Sequence, residues 1–191
     1  PIPSVAVIGA GISGLIAART LQDHGLPVVV LEKSRGVGGR MATRRMAEPT
    51  GLSFDHGAQY FTARDPRFIQ YVDSWIEQGV VGRWPGGEES VGQGVVVLRD
   101  GTATARESAV ERFVGIPSMN AVCKHLAQGL EIRTQTLVEA VRAGAEQPGW
   151  TLLGENGDVL LDCQQLVVSA PAAQAANLLD AWEISASIKD Q

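Results

Sequence analysis

The sequence predicts an α/β protein built around a parallel β-sheet, and the first forty residues carry the reasons. An apolar run from Val5 to Ile8 is followed by glycines spaced as G-x-G-x-x-G and then by a stretch of helical periodicity. A second apolar run, Val28 to Leu31, ends at Glu32. Strand, glycine turn, helix and strand in this order are typical of a βαβ unit, whose two strands are parallel.

The first glycine turn indicates a dinucleotide-binding site of the Rossmann type. Gly9 allows the tight turn, Gly11 leaves room for a pyrophosphate, and Gly14 lets the helix pack closely on the strand. The N-terminus of this helix faces the phosphate charge. Glu32 stands where a carboxylate accepts hydrogen bonds from the adenosine ribose, and its charge disfavours the 2′-phosphate of NADP. The motif alone is weak in a chain with 22 glycines, but the strands, helix and acidic residue around it support this reading.

A second glycine-rich turn, Gly36 to Arg40, favours FAD over NAD as the dinucleotide. Gly38 and Gly39 let the chain pass close to the pyrophosphate from another side. Arg40 neutralises the phosphates with paired donors. An ordinary NAD-binding domain does not need this second turn, so FAD is the expected cofactor.

The composition limits the classes of function. The chain has 191 residues, of which 45% are hydrophobic and 19% charged, as in ordinary globular proteins. Its net charge of −5 does not support binding to nucleic acid or to an anionic membrane. No targeting segment is predicted. Cys123 and Cys163 lack metal-ligand spacing and favour a reduced, cytoplasmic compartment, although a disulfide between them stays open. No zinc or iron site is predicted.

The remaining pattern predicts a discontinuous organisation. Residues 1–64 and 116–181 are expected to form the FAD-binding domain, which combines the parallel sheet with an antiparallel β unit. Residues 65–115 are expected to begin an α+β substrate domain. The individual elements are predicted as a helix from Asp65 to Gln78, a hairpin around Asp100-Gly101, a helix from Ile116 through Leu130, strands at 137–141, 150–153 and 159–161, a buried strand at 165–168 and a helix at 172–181.

Several blocks of sequence carry a family resemblance over nearly the whole chain. They are Gly9 to Gly14 with Glu32 to Arg35, Gly36 to Met41, Asp55 to Asp65, and the later pair Val114 to Met119 and Val167 to Pro171. Together these blocks resemble the renalase-like branch of the FAD-dependent amine oxidase superfamily. The continuation Gly57-Ala58-Gln59-Tyr60 is the part that resembles the renalase-like branch most specifically.

The resemblance adds residues to the candidate cofactor site. It implies that Ser13 lies beside the pyrophosphate, that Gln59 and Tyr60 lie near the isoalloxazine, and that the backbone around Val138 meets the adenine. It also implies that a C-terminal half is missing from this chain. The full candidate cofactor-binding set is Gly9, Gly11, Ser13, Gly14, Glu32, Lys33, Gly38, Gly39, Arg40, Gln59, Tyr60 and Val138.

By resemblance, the expected activity is oxidation of a reduced nicotinamide, NAD(P)H or its isomers, by hydride transfer to the flavin with oxygen as the expected acceptor. The ring nitrogen of such a small-molecule substrate expels the hydride, so no protein base is needed and no catalytic side chain or metal ligand is assigned. Gly36 stands where the wider amine oxidase pattern has Arg. Two alternatives stay open: a flavoprotein amine oxidase or desaturase, and a non-catalytic dinucleotide-binding fragment. The oligomeric state is not predicted.

Overall fold

A computed structural model of the chain describes residues 3–47, 51–84, 95–106, 110–143 and 148–179. The chain divides into two compact units, residues 1–40 with 123–191 and residues 41–122. The second unit extends beyond the predicted 65–115 segment on both sides. Within it, residues 43–45 pair with residues 53–55, and the Met119 N–H donates to the Asp55 carboxylate. The functional assignment of the two predicted domains stays a prediction.

The first unit contains a four-stranded parallel sheet, whose strands are β1 (Val5–Ile8), β2 (Val28–Leu31), β9 (Glu131–Arg133) and β13 (Gln165–Val168). Their order across the sheet is β13-β1-β2-β9. Every residue of β1 and β2 is buried, as expected for parallel strands that are covered on both faces. By contrast β13, predicted to be buried, is largely half-buried because it lies at the edge of the sheet.

Helix α1 (Ile12–Asp23) connects β1 to β2 and packs on both strands, which confirms the predicted βαβ unit. The helix predicted from Ile116 through Leu130 is wrong at both ends, because α3 covers only Ala121–Leu126. Its start is delayed by a turn in which the Ala121 N–H donates to the Ser118 carbonyl.

A three-stranded antiparallel sheet completes the first unit together with helix α4 (Ala172–Leu179). Its strands are β10 (Ala140–Ala143), β11 (Trp150–Leu153) and β12 (Val159–Cys163), which confirms the predicted antiparallel unit. The first of these strands begins three residues later than the predicted Leu137. One buried cluster joins both sheets, and its members include Ala6, Ile8, Val29, Leu31, Val141, Leu152 and Cys163.

The second unit consists of one helix and three two-stranded antiparallel sheets within the described part of the chain. Its elements are β3 (Thr43–Arg45) with β4 (Ser53–Asp55), helix α2 (Pro66–Glu77), β5 (Val81–Trp84) with β8 (Arg112–Gly115), and β6 (Val95–Arg99) with β7 (Thr102–Arg106). The β6–β7 pairing confirms the predicted hairpin.

Helix α2 begins as its sequence predicts. The Asp65 carboxylate accepts a hydrogen bond from the Arg67 N–H at 2.9 Å, and Pro66 occupies the first helical position. Val72 and Trp75 are the buried residues of this helix. Across all the ranges that the structure describes, no helix is both long and apolar enough to span a membrane.

Candidate dinucleotide-binding site

The first glycine turn follows the carboxyl end of β1, and each of its glycines meets a different physical demand. Gly9 has a φ of +103°, in the region that favours glycine. A Cβ on Gly14 would lie 2.0 Å from the Gly9 carbonyl oxygen, so only glycine lets α1 approach the turn this closely. A Cβ on Gly11 would meet nothing within 4 Å. The space beside Gly11 is therefore open, as a phosphate at this position requires.

The second glycine turn lies directly against the first. The Gly38 N–H donates to the Ala10 carbonyl at 2.9 Å, and Gly11 and Gly38 form an isolated parallel bridge. Gly39 has a φ of +52°, and a Cβ there would lie 3.3 Å from the Gly11 Cα. The two turns that the sequence predicts to approach a pyrophosphate are thus brought together in the structure.

Glu32 joins the end of β2 to the first glycine turn. Its side chain is buried, with 7% relative exposure. One carboxylate oxygen accepts the Ala10 N–H and the other accepts the Ser34 N–H, each at 2.8 Å. A carboxylate has about four acceptor positions, so two are left for the hydroxyls of a ribose. The sequence predicts Glu32 at the end of the strand, which the structure confirms. Its bracing contact is not predictable from the sequence, because it depends on the folded position of Ala10.

The N-terminus of α1 supplies positive electrostatic potential at the same turns. Gly11 is the N-cap, no side chain in the described residues caps the helix, and its first turn has no acidic residue. Free N–H groups and the helix dipole favour an anion at such an end. Ser13 is exposed in this first turn, and Arg40 is exposed in the short 3-10 turn Gly39–Met41.

Lys33 and Val138 border the Glu32 end of the site in different ways. Lys33 is exposed, and its Nζ donates to the Gln174 side-chain oxygen at 3.2 Å. Val138 is buried and lies in the loop before β10, not in the strand that the sequence predicts. This loop runs beside Glu32, whose carbonyl accepts the Thr136 N–H at 2.9 Å.

Ser169 has no role that the sequence predicts, although the structure places it against the glycine turn. Its N–H donates to the Ile8 carbonyl at 2.9 Å. A Cβ on Gly9 would lie 3.5 Å from the Ser169 carbonyl, and one on Gly14 would lie 3.2 Å from the Ser169 Cβ. The chain after β13 therefore forms a further wall of the turn, and the available signal was the end of the apolar run at Val168.

Gln59 and Tyr60 belong to the second unit and are both exposed there. All other members of the candidate set lie in the first unit. In the second unit, the Asp55 carboxylate accepts the Thr43 hydroxyl at 2.5 Å and the Met119 N–H at 3.2 Å. Asp55 thereby ties the block that contains Gln59 and Tyr60 to the Val114–Met119 block.

The two cysteines are free and buried, which resolves the question of a disulfide. Burial raises the pKa of Cys123 to about 11 and also raises the pKa of Cys163. Cys123 lies beside the second glycine turn, with its Sγ 3.9 Å from the Gly38 carbonyl oxygen. Both side chains are protonated thiols at neutral pH.

The parallel sheet and the glycine turns are typical of a Rossmann-like dinucleotide-binding fold, and a comparison with known families agrees with this fold. Residues 7–75 match the family described as an NAD(P)-binding Rossmann-like domain. The match includes both glycine turns and Glu32.

Individual proteins that part of this chain resembles include two oxidases. The chain is 42% identical over 69 residues to protoporphyrinogen oxidase 2 of Arabidopsis thaliana and 40% identical over 87 residues to an L-glutamate oxidase precursor of Streptomyces diastatochromogenes. These matches cover 36% and 44% of this chain but 13% of each relative.

The fold is similar to that of putrescine oxidase solved with bound putrescine, with a TM-score of 0.64 and 15% sequence identity. This likeness covers 91% of this chain and 60% of the putrescine oxidase chain. The similarities together are to FAD-dependent oxidoreductases of the amine oxidase superfamily. With the dinucleotide-binding fold, they indicate FAD as the cofactor.

Proposed function

We propose that this chain is the cofactor-binding part of an FAD-dependent oxidoreductase. The observation that carries the proposal is the contact between the two glycine turns, beside the N-terminus of α1, which no side chain of the described residues caps. Two glycine turns that meet at a helix N-terminus suit a pyrophosphate, because backbone N–H groups and open space are both available there.

The residues present fit FAD. The open space beside Gly11 and the N-terminus of α1 would accept the pyrophosphate, and Arg40 would balance its charge. Glu32 has acceptor positions left for the adenosine ribose, and the loop that contains Val138 runs beside it. When bound, the flavin supplies the redox chemistry, and the protein supplies binding, orientation and electrostatics.

Within this class, we propose a reduced nicotinamide as the small-molecule substrate and the cytoplasm as the location. The support for the substrate is the Gly57-Ala58-Gln59-Tyr60 block, which resembles that of renalase-like proteins. A reduced nicotinamide needs no base to remove a proton from it.

Amine oxidation is the second candidate. The observation that favours it is the 40% identity over 87 residues with the L-glutamate oxidase precursor. The two candidates predict different reductants for the same flavin. A reduced nicotinamide bleaches the flavin under the first, and an amine such as glutamate or putrescine bleaches it under the second.

The first test is FAD titration of the purified chain, followed by absorbance near 450 nm (roughly the region of protein-bound oxidised flavin). Gly11→Ala should weaken FAD binding by about tenfold or more, or about 1.4 kcal/mol, because the methyl group enters the phosphate space. Circular dichroism checks that Gly11→Ala is folded. Equal FAD affinity of Gly11→Ala and the unaltered chain would contradict the proposed pyrophosphate site.

The second test is anaerobic reduction of the FAD-loaded protein. Reduced nicotinamides, glutamate and putrescine are added separately, and bleaching of the flavin band is followed. Bleaching by the nicotinamides alone supports the first candidate, and bleaching by an amine alone supports the second. An FAD-loaded protein that none of them reduces would contradict both substrate proposals.

A further inference from the structure

The second unit carries an exposed patch of two aromatic rings and a guanidinium, formed by Tyr60, Trp84 and Arg112 and here called the ring patch. The Tyr60 and Trp84 rings are stacked, with centroids 5.7 Å apart and an interplanar angle of 13°. The Arg112 Cζ lies 5.3 Å from the Tyr60 centroid. Tyr60 is 43% exposed and Trp84 is 47% exposed, so much aromatic surface is open to a ligand.

The backbone fixes the members of the ring patch relative to one another. Trp84 on β5 and Arg112 on β8 are direct cross-strand partners. The neighbours Phe61 and Phe113 exchange two backbone hydrogen bonds of 2.9 and 2.8 Å, which hold Tyr60 next to β8. A surface that is already ordered loses little conformational freedom when a ligand binds to it.

The charge of Arg112 is not balanced by a carboxylate in the part of the chain that the structure describes. Its guanidinium donates to the Val110 carbonyl at 3.4 Å. The adjacent Arg83, in contrast, forms an ion pair with Glu111 at 3.1 Å. Arg112 therefore keeps donors for an anion, and a guanidinium offers these donors in the planar arrangement that suits phosphate.

We propose that the ring patch binds a mononucleotide, with its base stacked on the open aromatic surface and its phosphate bound by Arg112. Stacked aromatic side chains accept planar rings, and a guanidinium without a carboxylate partner among the described residues selects an anionic group. A second copy of this chain fits less well, because it would bring two guanidinium groups together. The inference rests on the proposed function and assigns the ring patch to the nicotinamide mononucleotide part of its substrate.

The test is a titration of the full chain, without FAD, with reduced nicotinamide mononucleotide, whose own fluorescence reports binding. Arg112→Gln and Trp84→Leu should each weaken its binding by about tenfold or more, whereas the control Arg83→Gln should leave it unchanged. Reduced nicotinamide riboside, which lacks the phosphate, should bind the unaltered chain about tenfold more weakly. Circular dichroism checks that each variant is folded, and Arg112→Lys, which keeps the charge, should restore part of the affinity.

Several outcomes would overturn the inference. They are unchanged binding in Arg112→Gln, equal binding of the riboside, displacement of the mononucleotide by FAD, and self-association of the chain that Trp84→Leu abolishes. FAD binding is measured separately by flavin absorbance. A chain that binds the mononucleotide but not FAD would therefore contradict the proposed function and leave the ring patch supported.

Discussion

Glu32 offers the sharpest test of how the candidate site is held together. Its buried carboxylate accepts the Ala10 N–H from the glycine turn and the Ser34 N–H from its own loop, each at 2.8 Å. Replacement with Ala removes both acceptors, whereas replacement with Gln keeps one oxygen and places an NH₂ group against the other N–H donor. The two variants should therefore differ in their free energies of unfolding.

The expected magnitudes follow from these two contacts. A hydrogen bond to a charged group contributes about 1.5–3 kcal/mol. Loss of both bonds in Glu32→Ala should then lower the free energy of unfolding by about 2–5 kcal/mol, since water that enters the vacated space recovers part of the loss. Glu32→Gln should lower it by about 1–3 kcal/mol, because one acceptor remains.

The assay is urea unfolding followed by circular dichroism, with linear extrapolation of the free energy to water. Glu139→Gln and Glu139→Ala are the matched controls, because Glu139 is exposed and forms no side-chain hydrogen bond in the described residues. They should change the free energy of unfolding by no more than about 0.5 kcal/mol. If Glu32→Ala is as stable as Glu139→Ala, the bracing role of Glu32 is refuted.

Three further outcomes are expected. Gly14→Ala should lower the free energy of unfolding by about 1–3 kcal/mol or more in the same urea assay, because its Cβ would lie 2.0 Å from a carbonyl oxygen. A hydrogen bond from Arg67 holds the pKa of Asp65 below its ordinary value of 3.8. The contribution of Asp65 to stability is therefore full above pH 3.8 and is lost as the pH falls through the lowered pKa. The stability of Asp65→Ala, measured by acid unfolding, should lack this pH-dependent contribution. Both cysteines are buried and should react with a thiol reagent only after unfolding, so rapid labelling of the folded chain would contradict their burial. Burial raises the pKa of Cys123 from 9.0 to about 11, so the contribution of this thiol to stability should be present below pH 9 and fall as the pH approaches 11.

The sequence predicts those parts of the fold whose signals are local. The bounds of β1 and β2 agree with their apolar runs, and α2 begins at its predicted Asp65 cap. Strand β9, in contrast, was not predicted. It has only three residues, Glu131–Arg133, and its two end residues are exposed, so it has no apolar run to mark it. Its place in the sheet comes from long-range pairing with β2.

The candidate site shows the same division between local and long-range information. The roles of Gly9 and Gly14 are readable from motif spacing, because the turn and the close helix lie within a few residues of each other. The contact of Glu32 with Ala10 joins residues 22 positions apart, and Ser169 reaches the turn from the far end of the chain. Such contacts depend on the assembled sheet and have no short sequence signature.

The glycine motif combines requirements of folding with requirements of binding, and the structure separates the two. Gly9 and Gly14 are needed for the fold itself, since one adopts a left-handed φ and the other has a carbonyl oxygen where its Cβ would be. Gly11 has an extended backbone with open space beside it, so the fold alone would tolerate a side chain there. A loss of FAD binding in Gly14→Ala would therefore not distinguish a damaged fold from a damaged phosphate site. The same loss in a stably folded Gly11→Ala would be attributable to the phosphate site.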